Sequence, residues 1–186
     1  MRIISGVFKG KKILQPLDNF TRPLKDLTKE SIFNVIKHSN KFNIDFEKSN
    51  ILDLFSGVGS FGLECISRGA RFVTFIEYYK EVIPILKKNL NNLKSVKNYK
   101  IIEKNILNEF DFNSLNQKFD LIFLDPPYKE KNLFSILNRI IESKILSKNG
   151  IIIMHRHKKE SDEFPKILKI IEEKKYGISK IIFGTI

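Results

Sequence analysis

The residues with the most evident chemistry are Asp125, Pro126, Pro127 and Tyr128, which follow an apolar run that begins at Phe119. An apolar run of large side chains that meets two prolines predicts a buried strand that cannot continue. Such a strand would end in an ionisable carboxylate, a turn made rigid by proline and a flat ring. We therefore expect this segment to bind a planar substrate that carries an amine.

An amine on an aromatic base is a poor nucleophile, because its lone pair is delocalised into the ring. If the Asp125 carboxylate and the Pro126 carbonyl both accept its protons, the nitrogen becomes more tetrahedral and its lone pair can attack a methyl group. Tyr128 would stack on a base that has left its helix or lies in a loop. The structural alternative is a strand-end aspartate with a proline turn and a core tyrosine.

A glycine-rich turn forms the second candidate site. Gly57, Gly59 and Gly62 match the pattern G-x-G-x-x-G between a predicted strand and a predicted helix. Glu77 lies twenty residues beyond Gly57, at the end of the next predicted strand, where an acid can bind ribose hydroxyls. The structural alternative for the glycines is a tight turn between strand and helix.

Asp53 discriminates between the nucleotide cofactors that such a turn could hold. A pyrophosphate would disfavour a carboxylate near the turn, whereas the ammonium group of S-adenosylmethionine can use one through charge-assisted hydrogen bonds. The alternative role for Asp53 is that of a structural cap. Taken with residues 125–128, Asp53 favours methyl transfer, whereas a nicotinamide oxidoreductase would leave residues 125–128 without a role.

Strands alternate with helices from residue 50 onward, which predicts a parallel sheet covered on both faces. Pro84 would lie inside the helix predicted over residues 79–92 and could kink it. The predicted strands cover residues 51–55, 71–77, 99–103, 120–125 and 150–155, and the predicted helices cover 61–68, 79–92 and 133–143.

The two ends of the chain have patterns of their own. Residues 2–8 and 11–14 predict a hairpin, and a loop that contains Pro16 and Pro23 leads to a helix over residues 24–40. Beyond Pro165, the pattern leaves a helix and a hairpin open.

Composition limits the class of protein. The 186 residues fit one domain with a small extension, and an apolar content of 42% is typical of a folded globular protein. We expect no transmembrane segment, since no apolar run reaches the roughly 18 to 20 residues that a bilayer requires. The first residues lack the pattern of a signal peptide. A single cysteine excludes an internal disulfide framework and agrees with a reducing cytoplasm.

The net charge of +12 favours a polyanionic partner, although the excess of 27 lysines over 6 arginines also fits codon bias in an AT-rich genome. The distribution of charge is more informative. Residues 1–41 carry nine Lys or Arg against three Asp or Glu, a net charge of +6. A localised basic excess is typical of binding to a phosphate backbone, and the alternative is a solvated surface.

Two weaker candidates have structural explanations. His155 and His157 lie at or just past a predicted strand end and could share one face. Without an adjacent ligand set we expect them to be solvated or RNA-facing rather than metal-binding. Cys65 follows the glycines on a predicted helix and is expected in the core.

Several motifs together resemble one family. Residues 53–64 and 67–70 resemble the cofactor motif of class I S-adenosylmethionine-dependent methyltransferases. More narrowly, the chain is similar over nearly its whole length to the bacterial 16S rRNA (guanine-N2)-methyltransferases of the RsmD type. The further matching segments are Met1-Arg2-Ile3-Ile4-Ser5-Gly6, Thr21-Arg22-Pro23, Glu30-Ser31-Ile32-Phe33-Asn34 and Tyr176-Gly177.

The resemblance implies an α/β, Rossmann-like class I methyltransferase fold. Its seven-stranded, mostly parallel sheet would contain one antiparallel strand, preceded by an N-terminal β-hairpin extension, so the chain would end in a hairpin. It further implies a basic, RNA-contacting part over residues 1–45 and a catalytic domain over residues 46–186. Departures from the family are Leu24, where it tends to have Thr, and Asn105, where an Asp usually binds the adenine amine of the cofactor. An amide oxygen at position 105 could still accept that hydrogen bond.

The implied activity is methyl transfer from S-adenosylmethionine to the N2 amine of a guanine in 16S rRNA. The enzyme would be a cytoplasmic monomer that acts on a partly assembled 30S subunit, and a DNA adenine methyltransferase or a non-catalytic RNA-binding protein are the alternatives. The expected cofactor-binding residues are Asp53, Phe55, Ser56, Gly57, Gly59, Gly62, Glu77, Tyr78, Asn105 and Ile106. The expected RNA-binding residues are Arg2, Lys9, Lys11, Lys12, Arg22 and Lys25.

Overall fold

The computed structural model describes residues 1–16, 24–108, 110–127 and 130–186. In this part of the chain, strands and helices alternate from residue 50 to residue 157. The strands are β1 (Asn50–Leu54), β2 (Phe72–Glu77), β3 (Tyr99–Glu103), β4 (Phe119–Leu124), β5 (Leu146–His157), β6 (Lys169–Tyr176) and β7 (Ser179–Thr185). The α-helices are α1 (Asp26–His38), α2 (Ser60–Ser67), α3 (Ile83–Asn91) and α4 (Leu133–Glu142).

These strands form one sheet in the order β3-β2-β1-β4-β5-β7-β6. The first five strands of the chain pair in parallel, and β7 runs antiparallel to both of its neighbours. The predicted mostly parallel sheet with one reversed strand is therefore confirmed, as is the C-terminal hairpin, which turns at Gly177 with a positive φ of 56°. The strand order reverses between β1 and β4, the place where open α/β sheets bind ligands at the carboxyl ends of their strands.

Side chains that alternate along the central strands build two separate cores, one on each face of the sheet. Leu121 and Phe123 of β4 point into the core that α1, α2 and α3 cover, and the rings of Phe61 and Phe123 stack with their centroids 3.9 Å apart. Ile122 and Leu124 point into the opposite core, which α4 covers. Both faces of the sheet are thus buried, as predicted. Among the described residues, no helix is long and apolar enough to cross a membrane.

The N-terminal segment differs from the predicted hairpin of two strands. Its two arms run antiparallel but meet in one isolated bridge, between Arg2 and Lys12. The Ile3 N–H still donates to the Lys11 carbonyl of the second arm, but from Ile4 onward N–H groups of the first arm bond to α2 instead. The N–H groups of Ile4 and Ser5 donate to the Glu64 carboxylate at 2.7 and 3.0 Å, and those of Val7 and Phe8 donate to Ser67.

Helix α3 also differs from its prediction. It begins at Ile83 rather than at Tyr79, so Pro84 lies in the first turn. Proline is well tolerated there, because its missing N–H would have had no intrahelical partner. The predicted kink is therefore absent from α3. The N–H groups of Tyr78 and Tyr79 instead donate to the Glu77 carboxylate at the end of β2, 2.8 and 2.9 Å away.

Candidate functional site

Three acidic residues meet at the carboxyl ends of adjacent parallel strands. Asp53 lies near the end of β1, Glu77 ends β2, and Asp125 follows β4 directly. The N–H of Asp125 donates to the carbonyl of Leu54, 3.3 Å away, so the candidate substrate segment starts beside the end of β1. The arrangement concentrates negative charge at one edge of a sheet in a chain whose net charge is +12.

Asp53 is the most deeply buried of these acids, with 1% of its surface exposed. Burial raises the pKa of Asp53 well above its ordinary value, and the nearby carboxylates of Asp125 and Glu77 raise it further. The Gly62 N–H has the opposite effect, because it donates to Asp53 Oδ2 at 2.9 Å. Asp53 therefore holds the first turn of α2, and its environment would favour a neighbouring positive charge.

The glycine-rich turn between β1 and α2 has an unusual backbone. Phe55, Gly57 and Gly59 adopt positive φ values of 59°, 54° and 82°. A phenylalanine in this left-handed region is strained, and such strain occurs where a site requires a particular backbone path. Glu77 ties the turn to β2, because its Oε2 accepts from the Gly57 N–H at 2.7 Å. The Ser56 hydroxyl makes a similar link by donating to the Ile76 carbonyl at 3.0 Å.

The later glycines allow close packing beneath the turn. A Cβ at Gly59 would lie 2.5 Å from the Leu86 side chain, and one at Gly62 would lie 2.2 Å from the Phe75 ring. Because glycine has no Cβ at either position, α2 can approach β2 and α3 closely. The tight turn that the sequence left open as an alternative is therefore present, and it shapes the candidate cofactor site.

The loop after β3 is held from α4. The Asn105 Oδ1 accepts from the Leu107 N–H at 2.9 Å, and an amide oxygen has a second lone pair for an external amine. Ile106 is buried, and its carbonyl accepts from Arg139 of α4 at 2.9 Å. Arg139 also donates to the carbonyl of Phe110, so one guanidinium fixes both ends of this loop.

Tyr78, which directly follows β2, is 45% exposed.

The candidate catalytic segment is held by β5, a contribution that the sequence patterns did not predict. Asp125 Oδ1 lies 2.8 Å from the Nδ1 atom of His155, whose Nε2 lies 2.8 Å from the Ser179 hydroxyl. The prediction of a solvated or RNA-facing His155 is wrong, since this residue is only 7% exposed. Leu124 pairs with Met154 in the sheet, so the residues that follow them, Asp125 and His155, lie side by side. Strand adjacency was the signal that could have revealed the contact.

Arg156 holds the segment that follows Asp125. Its guanidinium donates to the carbonyls of Pro127 and Glu130, at 3.5 and 2.9 Å, and to Asp162 at 2.8 Å. The side chain is almost fully buried, so these bonds form in a weakly screened environment. Pro127 and Glu130 flank Tyr128, which lies outside the described residues; its stacking role therefore stays a prediction.

The N-terminal basic residues lie on the segment that packs against α2 and α3. The exposed residues among them are Arg2, Lys9, Lys11, Lys12 and Lys25. Arg22 lies outside the described residues. The buried side chain of Asn89 joins this segment to the glycine-rich turn by donating to the carbonyls of Leu14 and Val58, both at 3.1 Å. Lys29 makes a second link, from the Arg2 carbonyl at 2.7 Å to the Ser60 hydroxyl at 3.4 Å.

The chain is similar to known proteins over most of its length. The family described as Conserved hypothetical protein 95 matches residues 1–185. Ribosomal RNA small subunit methyltransferase D of Buchnera aphidicola is 34% identical, over 92% of this chain and 86% of the relative. The protein of the same name from Haemophilus influenzae is 32% identical, over 96% of this chain and 90% of the relative. A solved methylase structure from Haemophilus influenzae superposes with a TM-score of 0.77 at 32% identity, covering 99% of this chain and 97% of that one.

The raised pKa of Asp53 makes stability depend on pH. Because its folded pKa lies above the ordinary value of 3.8, its favourable contribution is present below that pH and is lost as the pH rises through the raised pKa. The loss is about 1.4 kcal/mol for each tenfold difference in the acid dissociation constant between the folded and unfolded states. Asp53→Asn keeps an oxygen for the Gly62 N–H but cannot ionise. We therefore expect this variant to gain stability relative to the natural protein as the pH rises.

The measurement is the free energy of unfolding in urea for both proteins, at intervals between about pH 4 and pH 8. Taking the difference at each pH cancels the titration of the groups that both proteins share. A difference that stays constant across this range would show that the ionisation of Asp53 does not oppose folding.

Proposed function

The chain belongs to the Conserved hypothetical protein 95 family, and on that basis we propose that it methylates the N2 amine of a guanine in small-subunit ribosomal RNA. Membership confirms the family resemblance that the motifs predict. The relatives named ribosomal RNA small subunit methyltransferase D support the class of RNA, and the choice of guanine rests on the resemblance. The observation that carries the chemistry is a held carboxylate, Asp125, beside the glycine-rich turn at the switch point of the sheet.

S-adenosylmethionine fits the residues at the carboxyl ends of β1, β2 and β3. The turn from Asp53 to Gly62 would hold its methionine part, Glu77 its ribose, and Asn105 with Ile106 its adenine. Bound there, the cofactor supplies an activated methyl group on a positively charged sulfur. The acidic cluster suits that ligand. Burial and carboxylate repulsion disfavour the charged form of Asp53 and raise its pKa, and a nearby cation would stabilise that charged form.

Asp125 and Pro126 would orient the guanine amine. An ionised carboxylate has about four acceptor positions, so the bond to His155 leaves capacity for an amine proton. When the second N–H of the amine donates to the Pro126 carbonyl, the nitrogen lone pair is directed away from the ring system and toward the methyl group. As the new bond between the nitrogen and the methyl carbon forms, the bond from that carbon to sulfur would break, and the positive charge would pass from the sulfur to the nitrogen. The Asp125 carboxylate stabilises that charge and is placed to accept the proton that must leave.

The basic N-terminal segment would hold the RNA backbone. We propose residues 1–45 as the RNA-contacting part and residues 46–186 as the catalytic domain, in a monomer that acts on a partly assembled small subunit in the cytoplasm. The links through Asn89 and Lys29 join this segment to the glycine-rich turn and to the start of α2. Backbone contacts at the segment would therefore set the position of the RNA relative to the cofactor site.

Replacing Asp125 tests the chemical proposal. Both Asp125→Ala and Asp125→Asn remove the carboxylate charge, and we expect kcat for labelled methyl transfer to fall about 10²- to 10³-fold. The substrate would be small-subunit RNA and particles from cells that lack the enzyme. Asp120→Asn is the matched control, since Asp120 lies at the other end of the same strand and its Oδ2 accepts from the Asn50 N–H. Full activity in both Asp125 variants would contradict the proposed mechanism.

The salt dependence of RNA binding tests the role of the N-terminal segment. Each lost phosphate contact should make the slope of log affinity against log salt concentration shallower by about 0.7 to 0.9. We expect this change for Lys9→Gln and Lys12→Gln. Lys148→Gln, an exposed lysine in the first part of β5, should leave the slope unchanged. A slope altered only by the Lys148 change would place the RNA on another face.

A further inference from the structure

A line of hydrogen bonds crosses three neighbouring strands and ends at the candidate acceptor. His155 of β5 contacts Asp125 after β4 through Nδ1 and Ser179 of β7 through Nε2, with both distances 2.8 Å. In the sheet, β5 lies between β4 and β7. Ser179 pairs with His157, two residues beyond His155, so the contact between His155 and Ser179 is a diagonal one on the same face of the pair.

The burial of the three side chains shows which end of the line faces the site. The Asp125 side chain is 19% exposed and that of His155 is 8% exposed. Ser179 is buried. In a serine hydrolase the same residue types point the other way, with the serine at the substrate and the aspartate buried behind the histidine. Here the carboxylate is the open end, so Ser179 serves as the anchor and not as a nucleophile.

The chemistry of the partners assigns the protons. An ionised carboxylate can only accept, so Nδ1 of His155 carries a proton and donates it to Asp125. The Ser179 hydroxyl can donate to Nε2 when the ring is neutral and accept from it when the ring is charged. The donor toward Asp125 is therefore present in either state. A partner at the second nitrogen selects the tautomer and fixes the plane of the ring.

We propose, on the basis of the proposed function, that His155 is a positioning residue that sets the orientation of the Asp125 carboxylate. The Asp53 carboxylate at the same sheet edge repels that of Asp125. A donor from β5 holds one of its oxygens against that repulsion and directs the remaining acceptor capacity to the substrate amine. Ser179 contributes through His155 by holding the imidazole. Misplacement of a reacting group by about 1 Å can cost up to about 100-fold in rate.

Two conservative substitutions separate a positioning role from a merely structural one. Asparagine carries its N–H close to the place of Nδ1, whereas glutamine carries its amide further out, near the place of Nε2. We expect His155→Asn to retain most of kcat and His155→Gln to lose roughly 10- to 100-fold. KM for RNA and affinity for S-adenosylhomocysteine should stay close to those of the natural protein in both variants. Ser179→Ala should lower kcat by a smaller factor, because the donor remains while its anchor is lost.

A double variant shows whether His155 acts through Asp125. In an Asp125→Ala background, His155→Gln should cause no further loss of kcat, since the carboxylate it positions is gone. Independent, multiplying losses would overturn the proposal. So would equal losses in the Asn and Gln variants that follow an equal loss of thermal stability, because that result would indicate a structural role alone.

A measurement that does not require catalysis keeps this inference separate from the proposed function. Nitrogen-15 NMR of the imidazole should show a protonated Nδ1 in the natural protein. If the natural protein transfers no methyl group to ribosomal RNA, the proposed function fails, while the NMR signal still decides whether His155 donates to Asp125. An unprotonated Nδ1 would overturn the positioning role whatever the substrate is.

Discussion

The meeting of three carboxylates at one sheet edge is the constraint on which the rest of the site depends. Parallel strands bring Asp53, Glu77 and Asp125 together, and burial makes the charge of Asp53 costly, as its raised pKa shows. Each acid is offset by hydrogen-bond donors: Gly62 for Asp53, three backbone N–H groups for Glu77, and His155 for Asp125. A cationic ligand would complete this balance, which is what a methyl-donating sulfonium provides.

A second set of residues, distant in sequence, holds the segments that surround these acids. Arg156 holds the carbonyls around the candidate substrate segment, and Arg139 holds the loop that follows β3. On the other side, Glu64 and Asn89 hold the basic N-terminal segment against α2, α3 and the glycine-rich turn. Asn89 thus joins the candidate RNA-binding segment to the cofactor turn, while Arg156 holds the substrate segment.

Local patterns predicted the features that depend on neighbouring residues. The apolar run that ends at Asp125, the glycine spacing after β1 and the alternation of strands and helices were all confirmed. The missed features depend on distant partners. His155 is buried because β4 and β7 flank it. The N-terminal arms do not form full strands because the Glu64 carboxylate accepts the N–H groups of Ile4 and Ser5. No pattern within either segment announces those partners.

Asp125 and Pro126 are proposed to bind the exocyclic amine of a guanine, and the identity of the methylated nucleoside shows whether they do. Small-subunit RNA from cells that lack the enzyme would be treated with the protein and labelled S-adenosylmethionine, digested to nucleosides and resolved by mass spectrometry. We expect the label in N2-methylguanosine alone. A label in N6-methyladenosine, in a ribose or on a ring carbon would contradict the claim.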